Sequence, residues 1–477
     1  MKPRQVFAFI LTALVAGGCA VGPDYHPPKT AAPANWSEAQ RGGTTNTPVP
    51  PAAWWKTFND PELDSLIDRA VKTNYDLRVA EAQLLQARAL RAGAAWNLGP
   101  TITGVAGYTD ARRAPNAQTF TVNKLHTDLY DAHFDASWEI DVFGGLRREL
   151  EQAKATYTAF EENQRDVLVS VLAEVARDYV DVRGFQQRLA IAHKNIVAQQ
   201  EALDITRARY NAGLTSELDV KQAEALLATT QSQIPSFETS LKQAIHALSV
   251  LLGQPPGALL DELAADGPIP PTPPLVPVGL PSDLVRRRPD VRGAERQLAA
   301  ANANIGVQTA ELFPKFSLLG TGGFQSLSAG EWFVPNGRYW AAGPTVTWRL
   351  LDFGRIHAQI QAADAQTKQA LAIYEKIVLT AFQDVEDSLV AYANEQVRYR
   401  SLAEAVVADR RAVELANELY TKGLGDFLNV IDAERSLFIV EDQMVDSQRL
   451  VTDNLVTLYK ALGGGWETEA AGALTQR

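Results

Sequence analysis

Cysteine, histidine and excess positive charge are scarce in this sequence. A single cysteine among 477 residues excludes an internal disulfide, and six histidines leave little material for a metal site. Lys and Arg number 45 against 56 Asp and Glu, a net charge of −11 that argues against nucleic acid as a partner. Long apolar runs are absent beyond residue 18, so the sequence predicts no transmembrane helix in the mature chain.

Catalytic motifs are missing as well. The sequence has no Walker-type loop ending in Lys-Ser/Thr, no His-Glu-x-x-His and no Gly-x-Ser-x-Gly. Gly320-Thr-Gly-Gly323 lies inside a strand-like pattern and lacks the spacing of a phosphate loop. We therefore predict that the chain is not an enzyme and that it holds no metal and no cofactor.

The one cysteine has an informative position. A short basic start precedes an apolar run from Val6 to Val15, which has the length of a signal-peptide core, and Ala16-Gly-Gly-Cys19 follows. Small residues just before a cysteine are typical of a bacterial lipoprotein signal, although Ala16 stands where such signals usually carry Leu. The pattern predicts a signal peptide over residues 1–18 and a covalent lipid on Cys19. The alternative is an ordinary secretory signal with an incidental cysteine.

Proline-rich stretches divide the rest of the chain. Residues 19–61 predict an extended, lipid-anchored segment that lies on the protein surface, with Trp54, Trp55 and Phe58 at its end. Asp60 and Pro61 then give a helix start signal. The predicted organisation continues with a first repeat over 62–265, a proline-rich linker over 266–281, a second repeat over 282–465 and a C-terminal tail over 466–477.

Each half contains two stretches whose apolar period is that of a strand. Residues 133–142 alternate, with Phe134 and Trp138 on one face and Asp135 and Glu139 on the other. Alternation usually means a half-buried strand of a soluble sheet. The length, near that of a tilted strand that crosses a bilayer, and a Trp near one end favour a membrane strand. Similar patterns over 101–108, 316–324 and 344–350 make four predicted strands.

Long helical patterns follow the strands and end in matching turns. Residues 146–210 and 355–420 contain no proline and predict helices of roughly 100 Å. Shorter return helices are predicted over 217–252, with a kink near Pro235, and over 427–462. Several residues recur 210 positions later and indicate an internal duplication: Trp138 and Trp348, Phe143 and Phe353, Tyr210 and Tyr420, Gly213 and Gly423.

Four strands are too few to close around an interior, because about eight are needed. Open sheet edges cannot lie in lipid, where their backbone groups would have no hydrogen-bond partner. If the strands cross a membrane, several chains must therefore pool them.

Taken together, these features resemble those of the outer-membrane factors of Gram-negative bacteria, the TolC-like channels, and within them the lipoprotein subgroup of OprM- and NodT-like proteins. The resemblance rests on Cys19-Ala-Val-Gly-Pro-Asp-Tyr25, the two Tyr-x-x-Gly-Leu turns, Val430-Ile-Asp-Ala-Glu-Arg-Ser-Leu437 and the duplicated strand-Phe-Gly-helix junctions. It implies a mixed, mostly α membrane protein. Long antiparallel helices would form a periplasmic α-barrel, and four strands per chain would join a twelve-stranded β-barrel shared by a homotrimer in outer-membrane lipid.

The same resemblance implies a function. The chain would be the exit channel of a tripartite efflux system, passively exporting drugs or other small solutes. They would come from an inner-membrane pump, of the RND type, through a periplasmic adaptor. Two alternatives remain: the exit channel of a type I protein secretion system, and a periplasmic coiled-coil adaptor or scaffold without a pore.

The resemblance also implies a periplasmic gate. Asp432 falls on an acidic position of the family, and Asn429 stands where a second Asp is common. Tyr420 and Asp219 match residues that tie the closed end together, whereas Gly425 replaces an occasional Arg partner. Asp432 side chains facing one axis would repel each other and attract cations. The alternative is a solvated Asp near a helix start.

Two further sets of residues complete the predicted sites. The turns, where Gly can adopt positive φ and reverse the chain, are implied to dock the adaptor through Gly213, Leu214 and Thr215 and through Gly423, Leu424 and Gly425. Asp135, Glu139 and Asp141 would line the barrel lumen if the apolar face of their strand meets lipid, and would modestly favour cations.

Overall fold

The computed structural model describes residues 20–30, 32–38, 41–45, 47, 53–112 and 126–467. The predicted signal peptide, Cys19 and residues 468–477 of the predicted tail lie outside this part of the chain. The α-helices of the described part are α1 (Pro61–Thr73), α2 (Tyr75–Trp96), α3 (Gly145–Asn211), α4 (Glu217–Gln231), α5 (Ile234–Leu251), α6 (Pro281–Arg287), α7 (Pro289–Ala310), α8 (Arg355–Thr421) and α9 (Phe427–Ala461). Its strands are β1 (Thr44–Thr45), β2 (Thr101–Arg112), β3 (His126–Ile140), β4 (Val276–Pro277), β5 (Lys315–Ser326) and β6 (Arg338–Thr347).

Side-chain caps fix the first two helices. The Asp60 carboxylate accepts hydrogen bonds from the backbone N–H groups of Glu62 and Leu63 at the start of α1, at 3.0 and 3.2 Å, as the start signal predicted. Asn74 separates α1 from α2, because its side-chain oxygen accepts from the N–H groups of Asp76 and Leu77 at 2.8 and 3.1 Å. Asn74 thus caps the start of α2.

The two return helices differ. Near Pro235, where a kink was predicted, the helix is interrupted between Gln231 and Ile234, although Ser232 and Gln233 keep right-handed helical backbone angles. Pro235 occupies the first turn of α5. Proline is suited to that position because it lacks the N–H that a helix interior requires. The second return helix, α9, contains no proline and runs unbroken for 35 residues.

Four strands form one antiparallel sheet in the order β2-β3-β5-β6, which leaves β2 and β6 as its edges. Both β2 and β3 are longer than predicted, and β3 ends at Ile140, before Asp141 and Val142. Residues opposite each other in antiparallel strands lie on the same face, so the register defines two faces. One face is mainly apolar and carries Ile102, Phe134, Trp138, Leu318, Trp340 and Val346. The other is mainly polar and carries Asp131, His133, Asp135, Glu139, Thr321 and Tyr339.

The predicted duplication is visible in the sheet and in the helices. Thr101 pairs with Ser137 in the first copy, and Lys315 pairs with Thr347 in the second, 214 and 210 positions later. The long helices α3 and α8 each have 67 residues. Trp138 and Trp348 donate their indole N–H groups to equivalent carbonyls, those of Leu98 and Leu312.

The chain divides into two compact units, and each takes segments from both predicted repeats. The first contains β2, β3, β5 and β6, and is built from the described residues of the segments up to Lys29, Leu84–Phe160 and Ala294–Tyr374. The second is built from the described residues of Thr30–Gln83, Glu161–Gly293 and the segment from Glu375 onward, and contains the ends of both helical hairpins. In the part of the chain that the structure covers, no helix combines the length and the apolar character that crossing a membrane requires.

The end of the N-terminal segment is buried in the second unit by its own aromatic residues. Trp54, Trp55 and Phe58 are buried, and the Trp54 ring stacks on Tyr459 with centroids 5.2 Å apart. Before them, β1 pairs in parallel with β4, which lies in the predicted linker. The linker therefore holds the N-terminal segment in place.

Candidate functional site

The two hairpin turns have the same backbone geometry. Gly213 has φ of 71° and Gly423 has φ of 73°, which confirms the predicted positive φ at both glycines. The N–H of Leu214 donates to the carbonyl of Arg209, and the N–H of Leu424 to that of Leu419, each at 2.9 Å. These bonds satisfy carbonyls at the ends of α3 and α8 that the helices leave open.

Both turns present leucine side chains to solvent. Leu214 is 67% exposed and Leu424 is 74% exposed, and Leu218 and Leu428, in the first turn of the return helices, are also exposed. Behind them, a core joins the two hairpins through the following buried residues: Leu203, Val220, Ala223, Leu227, Tyr420, Phe427, Val430 and Ile431. The turn leucines are therefore apolar groups that this chain alone leaves exposed, and they are not part of the buried core next to them.

Asp219 is engaged within its own turn. Its carboxylate accepts from the N–H of Ser216 at 3.2 Å, and the Ser216 hydroxyl accepts from the N–H of Asp219 at 3.4 Å, a reciprocal cap at the start of α4. Thr215 donates its hydroxyl to the same carboxylate. In the second turn, Gly425 lies against the Leu419 side chain, where an added Cβ would have a close contact at 3.2 Å.

Tyr420 joins the two hairpins through Arg209. The Arg209 guanidinium lies over the Tyr420 ring, 4.5 Å from its centroid, and donates from Nη1 to the Tyr420 carbonyl at 3.1 Å. The ring also packs on Phe427 at 5.0 Å. Among the described residues the buried Tyr420 hydroxyl has no hydrogen-bond partner. Arg209 thus places a positive charge at the C-terminal end of α8, where the helix dipole favours it.

The acidic residues at the start of α9 differ in their surroundings. Asn429 and Asp432 are exposed, and the Asp432 carboxylate accepts from Arg435, one turn later, at 2.6 Å. Glu434, by contrast, is buried between the helices, and burial raises the pKa of its carboxyl to about 7, opposed only by the side chain of Asn417. Two positions apart, one carboxylate is solvated and the other is held out of water.

In the first unit, Asp135 and Glu139 lie on the polar face of β3, as the alternation predicted. Asp141 does not: it follows the strand, and its carboxylate accepts from the N–H of Arg147 at 2.9 Å and from Arg147 Nε at 3.2 Å. It therefore caps the start of α3 instead of extending the polar face. The reason is that β3 loses its pairing partner after Ile140.

The first described residues follow Cys19 directly and are tied to the end of the sheet. The N–H of Val21 donates to the carbonyl of Phe143 at 3.0 Å. The buried Arg148 guanidinium donates to the Val21 carbonyl at 3.1 Å and to the Asp24 carboxylate at 2.7 Å. Ala20 packs against Gly144, where an added Cβ would approach the Ala20 Cα to 2.5 Å. The backbone just after the predicted lipidation site is thus held beside the β3–α3 junction.

Comparison with known proteins bears on this arrangement directly. The family model for outer membrane efflux proteins matches residues 66–254 and 280–464. The chain belongs to this family. The two matched segments each contain one long helix and one of the turns described above.

Curated relatives resemble this chain over nearly their whole length. Nodulation protein T of Rhizobium leguminosarum bv. trifolii is 31% identical over 469 residues, covering 97% of this chain and 98% of that protein. The solvent efflux pump outer membrane protein SrpC of Pseudomonas putida is 33% identical over 479 residues, covering 98% and 99%.

Solved channels have the same fold. The outer-membrane channel OprN superposes with a TM-score of 0.88 at 36% identity, covering 94% of this chain and all of that one. The open state of the Neisseria gonorrhoeae MtrE outer membrane channel gives 0.84 at 29% identity, covering 94% and 98%. The predicted fold class and the predicted family are confirmed, and the alternative of a pore-free adaptor loses its support.

Sequence reasoning about this outer membrane efflux protein missed several residues at the hairpin ends. Arg209 and Arg435 contact predicted site residues, and Glu434 is a buried carboxyl near the start of α9. Helical spacing carried a signal for Arg435, because positions three apart are neighbours on a helix. Arg209 contacts a residue more than two hundred positions away, and no local pattern marks such a contact.

Proposed function

We propose that this chain forms the outer-membrane exit duct of a tripartite efflux system, as a homotrimer anchored by a lipid on Cys19. The observation that carries the proposal is the sheet, which has one apolar face, one polar face and two unpaired edges within a chain that resembles solved channels throughout. An apolar face suits lipid and a polar face suits an aqueous lumen. The two edge strands need partners, because lipid offers their backbone groups none.

A second copy of the chain supplies those partners. Within one chain, the last strand of the first copy, β3, pairs with the first strand of the second copy, β5, as in Ser137 with Leu319. The equivalent strands are β6 and β2, so β6 of one chain would pair with β2 of the next in the same register. That register sets Thr347 opposite Val105. Three chains pooled in this way give twelve strands, enough to enclose a lumen.

The lipid anchor is supported by where the mature chain would begin. Residues from Ala20 to Asp24 are tied to Phe143 and Arg148, immediately after β3. If β3 crosses the bilayer, an acyl chain on Cys19 would enter the same leaflet in which that strand ends. Each buried CH₂ of the lipid would add about 0.8 kcal/mol to membrane attachment.

The hairpin ends would supply the gate and the docking surface. Asp432 and Asn429 lie exposed at the start of α9, and Tyr420 and Asp219 hold the two turns in their present form. The uncovered Leu214 and Leu424 suit the apolar tip of a periplasmic adaptor, which would connect the duct to an inner-membrane pump of the RND type. Relatives named for solvent, toluene and pyoverdine export support small solutes as cargo.

The exit channel of a type I protein secretion system is the rival within the same class. Relatives with efflux names favour the pump. A deletion strain separates the two, because loss of a pump duct raises sensitivity to solvents and antibiotics, whereas loss of a secretion channel removes a protein from the culture medium.

Complementation and channel recording test the proposal together. The full chain should fractionate with the outer membrane, restore solvent and antibiotic tolerance to the deletion strain, and give single-channel currents when the purified protein is added to planar bilayers. A Cys19→Ser variant should lose the lipid, detected as a mass change, while retaining the trimer. Absence of currents from a correctly assembled trimer would contradict the duct.

A further inference from the structure

The polar face of the sheet holds an imidazole between two carboxylates. His133 Nδ1 lies 2.6 Å from Asp131 Oδ2, and Nε2 lies 3.1 Å from Asp135 Oδ2. The three residues are alternate positions of β3, so their side chains point to the same face. Tyr339 on β6 donates its hydroxyl to the other oxygen of Asp131 at 2.9 Å. We call these four residues the His133 cluster.

A glycine on the intervening strand makes room for the cluster. Gly323 of β5 lies opposite His133 on one side and Tyr339 on the other. A Cβ at Gly323 would come within 2.5 Å of the Cα and Cβ of His133. The His133 side chain is only 16% exposed, so it lies against the sheet and does not extend freely from it. Its position therefore depends on three strands of the sheet.

The two contacts favour the protonated form of the imidazole. An ionised carboxylate only accepts hydrogen bonds, and a neutral imidazole carries a proton on one nitrogen only. A neutral His133 would therefore place a nitrogen lone pair against a carboxylate oxygen on one side or the other. The Nδ1 contact lacks the alignment of a hydrogen bond and is an ion-pair contact, which is attractive only if the imidazole carries a positive charge. Both contacts are attractive only when His133 is an imidazolium.

A bound metal does not account for the cluster. The two nitrogens lie on different edges of the ring, and each faces a different carboxylate. A metal ion bound to one nitrogen would therefore reach only one of the two carboxylates. Among the residues that the structure describes, no group of three or more His, Cys, Asp and Glu side chains is arranged to hold a metal ion. The cluster is therefore considered for the positive charge that a protonated His133 would carry.

We propose that His133 is a fixed positive charge that limits the cation selectivity of the channel. The inference rests on the proposed duct, in which the polar face is the lumen wall. The titratable groups facing His133 are Asp131, Asp135 and Tyr339, and its neighbours across the strands, Val105 of β2 and Gly323 of β5, carry no charge. With the imidazolium present the cluster has one net negative charge per chain, and without it the cluster has two.

Reversal potentials under a KCl gradient test the inference with the purified full-length trimer. His133→Asn should make the channel more cation-selective, raising the K⁺-to-Cl⁻ permeability ratio roughly twofold. His133→Lys, which keeps the positive charge, should stay near wild type. His126→Asn is the matched control, because His126 begins the same strand and is 69% exposed. Equal selectivity of wild type and His133→Asn would overturn the inference.

A pH series and a second variant guard against misfolding of the first. Cation selectivity of wild type should rise when the pH is raised from about 5 to about 9, since the imidazolium loses its proton. His133→Lys should lack this step. Asp135→Asn should lower the selectivity, the opposite sign to His133→Asn. A wild-type trimer that conducts without any of these changes refutes the role of His133, whereas a wild-type trimer that does not conduct refutes the duct itself.

Discussion

Glu434 shows what burial does to a single carboxyl. Its pKa is raised to about 7 because the ionised form loses water between α8 and α9, whereas an unfolded Glu titrates near 4.3. Between about pH 4.3 and about pH 7, the folded state therefore holds a proton that the unfolded state has already released. Stability from the protonated form is complete below about pH 4 and is lost as the pH rises through about 7.

We expect Glu434→Gln to remove this loss. At pH 8 the variant should be more stable at the hairpin ends by roughly 1–3 kcal/mol, and at pH 4 it should match wild type. Hydrogen exchange of α8 and α9 amides, corrected for intrinsic pH dependence, measures the difference. Glu404→Gln, at an exposed position of α8, is the control and should change neither pH profile. A pH-independent effect of Glu434→Gln would contradict the shifted titration.

Asp432 carries the second residue-scale prediction. Asp432→Ala should raise single-channel conductance or sensitivity to large antibiotics, because it removes one acidic group per chain from the proposed gate. Arg435→Ala should have the opposite effect on the charge of the gate. It should make the gate more attractive to cations, since the Asp432 carboxylate then loses its partner at 2.6 Å. Conductance that is unchanged in Asp432→Ala would remove this residue from the gate.

At the scale of elements, the two turns can be tested without disturbing the helices. Leu214 and Leu424 are exposed, so charge at both positions costs no core packing. The double variant Leu214→Glu/Leu424→Glu should assemble as a trimer but fail to restore drug tolerance in a deletion strain. Leu275→Glu, a similarly exposed leucine in the linker, should restore it. Full tolerance in the double variant would show that no adaptor docks on the turn leucines.

Sequence patterns predicted the long helices to within a residue at each end, because glycines mark their boundaries locally. The start of β3 was missed for a physical reason. Polar residues at both parities, among them Asp128 and Asp131, hide the alternation, and the strand extends to His126 only because β2 pairs with it there. The interruption before α5 was predicted from Pro235, because proline lacks the N–H that a continuous helix requires.

The predicted sites divide in the same way. Glycine turns and exposed leucines follow from local pattern. The contacts of Tyr420 with Arg209, and of Tyr339 with Asp131, depend on how separate segments meet, which periodicity does not specify. Asp141 was assigned to the strand because its period continued, although pairing had ended.

For the whole molecule, the duplicated register gives a prediction about assembly. Val105→Cys/Thr347→Cys should form disulfides between chains, seen as covalent oligomers on a non-reducing gel. Ser137→Cys/Leu319→Cys, the equivalent pair inside one chain, should cross-link without changing the oligomer. The only native cysteine is Cys19, so the background is low. Stronger oligomer bands from Thr103→Cys/Thr347→Cys would mean a shifted register, and bands from either single variant would mean that identical edges meet.

Equal helix length has a consequence for how this chain can change in evolution or by engineering. Helices α3 and α8 have 67 residues each, and the buried core at their far ends joins residues of both hairpins. Removing one residue from α8 alone would turn everything beyond it by about 100° and shift it by about 1.5 Å, so that Tyr420 no longer meets Arg209. Shorter or longer versions should therefore arise only through matched deletions or insertions in both copies, in steps near seven residues that restore the helical face.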